Sequence, residues 1–223
     1  MTDSVWPITL FTLAVALVAT LALLPLGVWL AWILARRRFP GRTLLETVVS
    51  LPLVLPPVAT GLILLKLLGR EGFIGAWLAC AGIDIVFTWK AVVIAMAVMG
   101  LPLLVRTART GFEQVSRRYE DIAETLGATP ARVFFTISLP LASRSIVAGA
   151  LLAFSRAIGE FGATIMVAGA IPGRTRTLAV AIFTLTEAGD DRAAMRLLVI
   201  AVAIGFAAVL LTNRLVRRDH AAV

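Results

Sequence analysis

The chain has 223 residues, 60% of them hydrophobic, with a formal net charge of +8 and a mean hydropathy of +0.95. Soluble domains run at ~45–50% apolar. Here the excess lies in blocks, with no charged residue from Ser4 to Ala35 or from Thr47 to Leu65, so a soluble globular domain is excluded.

A membrane span needs ~20 mostly apolar residues, and the blocks predict an all-α polytopic membrane protein of about five transmembrane helices. Residues 1–223 form one transmembrane domain. The opening MTDSVWP has no positive n-region, and the first apolar block far exceeds the ~7–15 residues of a signal h-region. It is therefore a retained span, at about 7–35, followed by "RRRFPGR". The second span, at about 47–68, is interrupted by Pro52, Pro56 and Pro57. The uncharged block 72–83 reaches only ~18 Å as a helix, too short to span, and reads as an interfacial or re-entrant helix. The third span covers about 85–105, with Lys90 near one end, where its stem can snorkel. A loop over 106–144 separates it from the fourth span, at about 145–170. The fifth lies at about 197–213.

Five spans put the termini on opposite sides. Thirteen basic residues fall on one side: Arg36, Arg37, Arg38, Arg42, Arg106, Arg109, Arg117, Arg118, Arg132, Arg144, Arg214, Arg217 and Arg218. Seven fall on the other: Lys66, Arg70, Lys90, Arg174, Arg176, Arg192 and Arg196. The richer side faces the cytoplasm, so the N-terminus is outside, the C-terminus inside and the 106–144 loop cytoplasmic. The positive charge is a topology signal and not a nucleic-acid footprint. The single cysteine, Cys80, excludes an internal disulfide and a cysteine metal cluster. The single histidine, His220, lies in the C-terminal tail, leaving no metal site and no catalytic site to propose.

The 106–144 loop is long for a helical bundle, and such loops are functional or disordered. This one is patterned. Residues 119–126 read as a helix with Ile122, Ala123 and Leu126 on one face. Gly127 then fits a C-cap at positive φ, and Thr129-Pro130 read as N-cap and N1 of a second helix. Val133, Phe134 and Phe135 follow, and Leu139-Pro140 is expected to stop it. The product is a helix–turn–helix with an aromatic pair at its tip. Its acids Glu120, Asp121 and Glu124 are available to basic residues of a partner. Two placements are open: docking into a partner's groove, or packing under the chain's own bundle.

Residues 121–140, "DIAETLGATPARVFFTISLP", resemble the EAA loop of importer-type ABC permeases, whose pattern is EAA-x3-G-x9-I-x-L-P. Ala123, Gly127, Ile137, Leu139 and Pro140 match in type and spacing. Asp121 stands at the Glu position, Ile122 stands at the first Ala, and Glu120 offers a carboxylate one residue earlier. The resemblance implies a loop that inserts into a groove on a separate ATP-hydrolysing subunit. The chain carries no G-x-x-x-x-G-K-[ST] phosphate loop, which agrees with an ATPase on another chain. It implies further that the permease binds no cofactor itself, ATP and Mg belonging to the partner. Working as a homodimer with a periplasmic binding protein in the bacterial inner membrane is also implied. The stretches "RRRFPGRTLLETVVSLPLVLPPVATG", "GREGFIG" and "AFSRAIGEFGATIMVAG" are similar to the permeases of bacterial molybdate importers. Sulfate/thiosulfate permeases share related elements, and tungstate is chemically almost the same ion.

Two places are candidate parts of a pathway or gate. Pro52, Pro56 and Pro57 break a helix at membrane depth, which is tolerated where protein buries the backbone or where it lines a cavity. A simple kink is the other reading. Arg156 and Glu160 sit at i and i+4, where they form either a gate or a pair that fixes helix packing. An intramembrane enzyme would need a nucleophile–base pair or paired carboxylates, and Glu160 stands without either. A receptor or anchor would need neither proline-broken spans nor this loop.

Overall fold

The structure, a computed structural model, describes residues 5–220, with side chains described as far as residue 211. The C-terminal arginines Arg214, Arg217 and Arg218 and His220 thus lie outside the described side chains, and both chain ends lie outside the described residues.

Helix α1 (Val5–Arg36) turns one stripe inward, through Thr12, Ala16, Ala19, Leu23, Gly27, Leu30 and Leu34. Those steps of three and four are the helical period of a half-buried face. The second expected span is not straight. Helices α2 (Arg42–Val54) and α3 (Pro57–Leu68) meet at 115°. The cause is local: Leu55 and Pro56 are extended, with ψ 143 and 133, as residues before proline prefer. Pro57 then starts α3 at a position where its missing N–H costs nothing.

Helix α4 (Phe73–Cys80) is the short element expected over 72–83. The ion pair Arg70–Asp84, 2.8 Å, brackets it. The hydrogen bond from Arg70 holds the Asp84 carboxyl below its ordinary value. Helix α5 (Trp89–Gln114) extends past the expected boundary at 105, so the loop proper begins later than predicted.

Helix α6 (Arg117–Thr125) and α7 (Pro130–Val133) form the helix–turn–helix. Pro140 does not stop the second helix. A π-helical turn, Phe134–Ser138, joins α7 to α8 (Leu139–Ile158), making one apolar helix from Pro130 to Ile158. In the π turn Leu139 N–H reaches the carbonyl of Phe134. That wider ring relaxes the i−4 spacing against which a proline ring clashes in an α-helix. The fourth span also ends earlier than expected. It breaks at residues 159–161 before α9 (Gly162–Ala168). Helix α10 (Leu178–Glu187) was not among the predicted elements, and α11 (Asp191–His220) contains the fifth span.

By length and composition, four helices can cross a membrane among the described residues, and the bent α2–α3 pair raises this to five. Helix α5 is central. Gly100 abuts Ala153, and Gly149 abuts Leu104 and Thr107, the small-residue packing that brings membrane helices close. One apolar cluster joins Val15, Ala91, Met96, Ile158 and Val167. A second joins Leu34, Val105, Phe112 and Ala142. The first lies at the level of the α5 start and the second at the level of its end, so the loop and the α8–α9 break belong to opposite ends of the bundle.

Candidate functional site: a loop and two facing helix breaks

The loop turns on the chemistry its sequence announced. Gly127 has φ +88, where an L side chain is strained, and nothing lies within 4 Å of a Cβ added there. Ala128 N–H returns to Ala123 O. The Thr129 hydroxyl accepts from Arg132 N–H at 3.4 Å, capping α7 behind Pro130.

The loop residues divide into two sets. Glu120 faces its own bundle. Its carboxylate accepts from Arg36 Nε at 3.1 Å and from the Ser138 hydroxyl at 2.6 Å. Arg36 also donates to Val115 O. One carboxylate therefore ties the end of α1, helix α6 and the π turn together, and Glu120 is not presented outward with the other acids. Phe134 also turns inward, its ring 5.4 Å from Trp32 and 6.2 Å from Phe112. The expected aromatic tip is therefore Phe135 alone, 65% exposed. Asp121, Ile122, Glu124 and Leu126 are exposed with it, while Ala123, Ile137 and Leu139 are half-buried and Pro140 is exposed. Read in sequence, Arg36 has only a topological meaning, since a basic residue at a span end carries no sign of an acid 84 positions away.

At the other end, Glu160 is fully buried inside the α8–α9 break. Its Oε1 accepts from Ala163 N–H at 2.7 Å, and its Oε2 lies 2.7 Å from Arg156 Nη1. That second contact is an ion pair outside hydrogen-bonding angles. The Arg156 side chain keeps 26% of its surface exposed. A buried charge survives when paired and hydrogen-bonded, and both conditions hold for this carboxylate.

The two breaks face each other. A Cβ on Gly162 would lie 2.8 Å from Pro57 Cβ and 3.0 Å from Val58 N. One on Gly61 would lie 2.8 Å from Ala163 Cα. So α3 and α9 pack backbone to backbone, which brings Pro56 and Pro57 beside the Arg156–Glu160 break. Pro52 stays apart, inside α2 on the loop side of the bend. The loop and the breaks do not meet, but the continuous helix from Pro130 to Ile158 connects them. No cluster of His, Cys, Asp and Glu able to hold a metal is found among the described residues.

Residues 24–219 match the family model described as binding-protein-dependent transport system inner membrane component. The chain belongs to that family. It is 46% identical to the molybdenum transport system permease protein ModB of Escherichia coli (strain K12), over 97% of this chain and 96% of that one. A putative molybdenum permease, YvgM of Bacillus subtilis, is 42% identical over 86% of this chain and 85% of its own length. The sulfate transport system permease protein CysT of E. coli is 43% identical over 82% of this chain and 66% of its own. Among solved structures, a bacterial alginate ABC transporter bound to its periplasmic protein aligns at TM-score 0.70 and 17% identity, covering 96% of this chain and 78% of that one. The inward-facing MetNI methionine transporter aligns at TM-score 0.65 and 17% identity, covering 95% and 94%. Those likenesses fix the fold. This chain is an all-α, multi-pass permease of the inner-membrane component family.

Proposed function

We propose that this chain is the membrane-spanning subunit of an ATP-driven importer for molybdate. It acts as a homodimer with ABC ATPase subunits, which carry ATP and Mg, and with a periplasmic oxyanion-binding protein. The observation that carries this reading is the 46% identity with a molybdenum permease along nearly the whole of both chains. A sulfate importer is the second reading, favoured by 43% identity to CysT over 183 residues.

In the proposed cycle the loop seats on the ATPase through Asp121, Ile122, Glu124, Leu126 and Phe135, which point away from the bundle. Glu120 and Phe134 hold the loop to α1 and α5, so motion received at the loop passes into α8. Ala123, Gly127, Ile137, Leu139 and Pro140 set its shape. At the far end, Arg156, Glu160, Pro56 and Pro57 form the gate, with Pro52 shaping the loop-side limb of the bend. Orientation follows the arginine excess: N-terminus periplasmic, C-terminus and loop cytoplasmic.

The test is uptake of radiolabelled molybdate by vesicles holding this chain with its ATPase and binding protein, with tungstate and sulfate as competitors. Saturable, ATP-dependent molybdate uptake that resists excess sulfate is expected. Sulfate uptake without molybdate uptake would select the second reading.

A further inference from the structure

The short helix α4 is built back to back with the end of α3. A Cβ added to Gly75 would run into the carbonyls of Gly69 and Leu68, and one on Gly72 into those of Lys66 and Leu67. The glycine side of α4 is thus closed by the backbone of α3, and a shift of one carries the other. The opposite side is open. Phe73, Trp77 and Cys80, at steps of four and three, fall on one helical face. Phe73 is 82% exposed and Trp77 77% exposed, Cys80 is exposed with them, and Ile74 is 44% exposed.

The neighbouring segments fix the level of this face. Helix α3 ends at Leu68 and α5 begins at Trp89, so residues 69–88 join two membrane-crossing segments at the bundle end opposite the loop. Arg70 donates from Nε and Nη2 to the two Asp84 carboxylate oxygens at 3.0 and 2.8 Å, closing the connection into a hairpin with α4 in its arc. From Gly72 to Ile83 that arc holds no charge. Tryptophan gathers where acyl chains meet headgroups, and Trp89, at the same end, is 50% exposed. Lys66, Arg70 and Lys90 outnumber Glu71 and Asp84 in the flanking segments, and Arg70 already engages Asp84, a balance that suits lipid phosphates. A protein partner that comes and goes would leave Phe73 and Trp77 in water for part of every cycle, whereas the bilayer covers them throughout. Transient protein interfaces are, moreover, no more apolar than ordinary protein surface.

We propose that α4 is an interfacial anchor, its Phe73–Trp77–Cys80 face seated among the lipids of the leaflet opposite the loop. A helix of this kind buries its apolar face about 5–10 Å into the boundary between headgroups and acyl chains. Because α4 is closed against the end of α3, and α3 packs on α9 at the two breaks, the anchor gives that pair a fixed footing in the membrane. The seat is independent of which ion is carried.

Cys80 is the single cysteine of the chain, so a nitroxide can be placed on this face without any substitution. The labelled chain is assembled with its partner subunits in vesicles of phosphatidylethanolamine and phosphatidylglycerol. Relaxation by oxygen, which dissolves in lipid, is compared with relaxation by a water-soluble nickel chelate. Oxygen should dominate, and the ratio should place the label about 5–10 Å below the phosphates. Dominance of the nickel chelate puts α4 in water and overturns the anchor. Shielding from both reagents puts a second copy or the binding protein over the face, and a depth well beyond ~10 Å makes α4 a re-entrant hairpin; either result overturns it too. A second readout uses a form retaining Trp77 as its sole tryptophan. Its emission should be quenched by lipid brominated high on the acyl chains and hardly at all by aqueous iodide, and the reverse rejects the lipid seat. Neither readout involves uptake, so the importer reading and the anchor fail separately.

Discussion

Removing Arg156 should harm the protein far more than removing Glu160. Arg156→Gln leaves a carboxylate that is fully buried with a single backbone N–H as partner. Stranding one member of a buried pair costs about 3–5 kcal/mol. Glu160→Gln differs in kind. The amide oxygen can still accept from Ala163 N–H, and the arginine left behind has 26% of its side chain exposed, so it is not enclosed as the carboxylate is. That change removes one charge-assisted contact and costs about 1–2 kcal/mol. The gap of about 2–3 kcal/mol is about 30- to 150-fold in an unfolding equilibrium. Carrying both changes strands no charge, so the double variant should sit near Glu160→Gln and well above Arg156→Gln. Chemical unfolding of the purified protein in mixed micelles measures all four forms, and vesicle uptake follows the same set. Equal losses for the two single variants, or a double variant at the sum of both, would refute the pairing and the burial argument together.

Four further outcomes follow from the geometry. Gly127→Val meets no neighbour but must hold φ +88, a strain of about 1–2 kcal/mol; the protein should insert normally while ATPase activity stops responding to loaded binding protein. Phe135→Ala should weaken ATPase association with little change in stability, whereas Phe134→Ala, which empties a site against Trp32 and Phe112, should destabilise the fold by about 3 kcal/mol or more; the reverse ranking in co-purification and unfolding assays would reject the inward–outward division. Gly61→Ala places a Cβ against the Ala163 backbone and should cost about 1–3 kcal/mol, read as a lower unfolding midpoint. Because Arg70 depresses the Asp84 pKa, the clip around α4 is present above the ordinary carboxylate range and lost only as pH falls through the depressed value. In a form retaining Trp77 as its sole tryptophan, emission should be flat from about pH 5 to 9 and shift only in stronger acid.

Local chemistry was legible where one or two residues decide a backbone. Gly127, Thr129 and Pro130 announced the turn because a positive φ, a capping hydroxyl and a missing N–H each fit few positions. Pro56 and Pro57 announced an interruption, though not its 115° angle, which depends on how α3 settles against α9. Pro140 misled, because a proline that ends an α-helix is accommodated when a π turn sits in front of it, and no single residue of Phe134–Ser138 marks such a turn. The break at residues 159–161 was hidden in an apolar run, since burial of Glu160 is set by Arg156, Ala163 and the facing helix together. Contacts across the chain, such as Arg36 with Glu120 and Gly162 with Pro57, have no trace in local pattern.

The uninterrupted helix from Pro130 to Ile158 behaves as a lever. Its 29 residues make a rod of about 43 Å, with the loop at one end and the Glu160 break at the other. Pivoted about its loop end, a tilt of about 5° carries the far tip roughly 4 Å sideways, more than a hydrogen bond can stretch. A modest angular stroke from a motor seated at the loop would therefore unlatch groups a membrane's breadth away, without any relay of side chains between them.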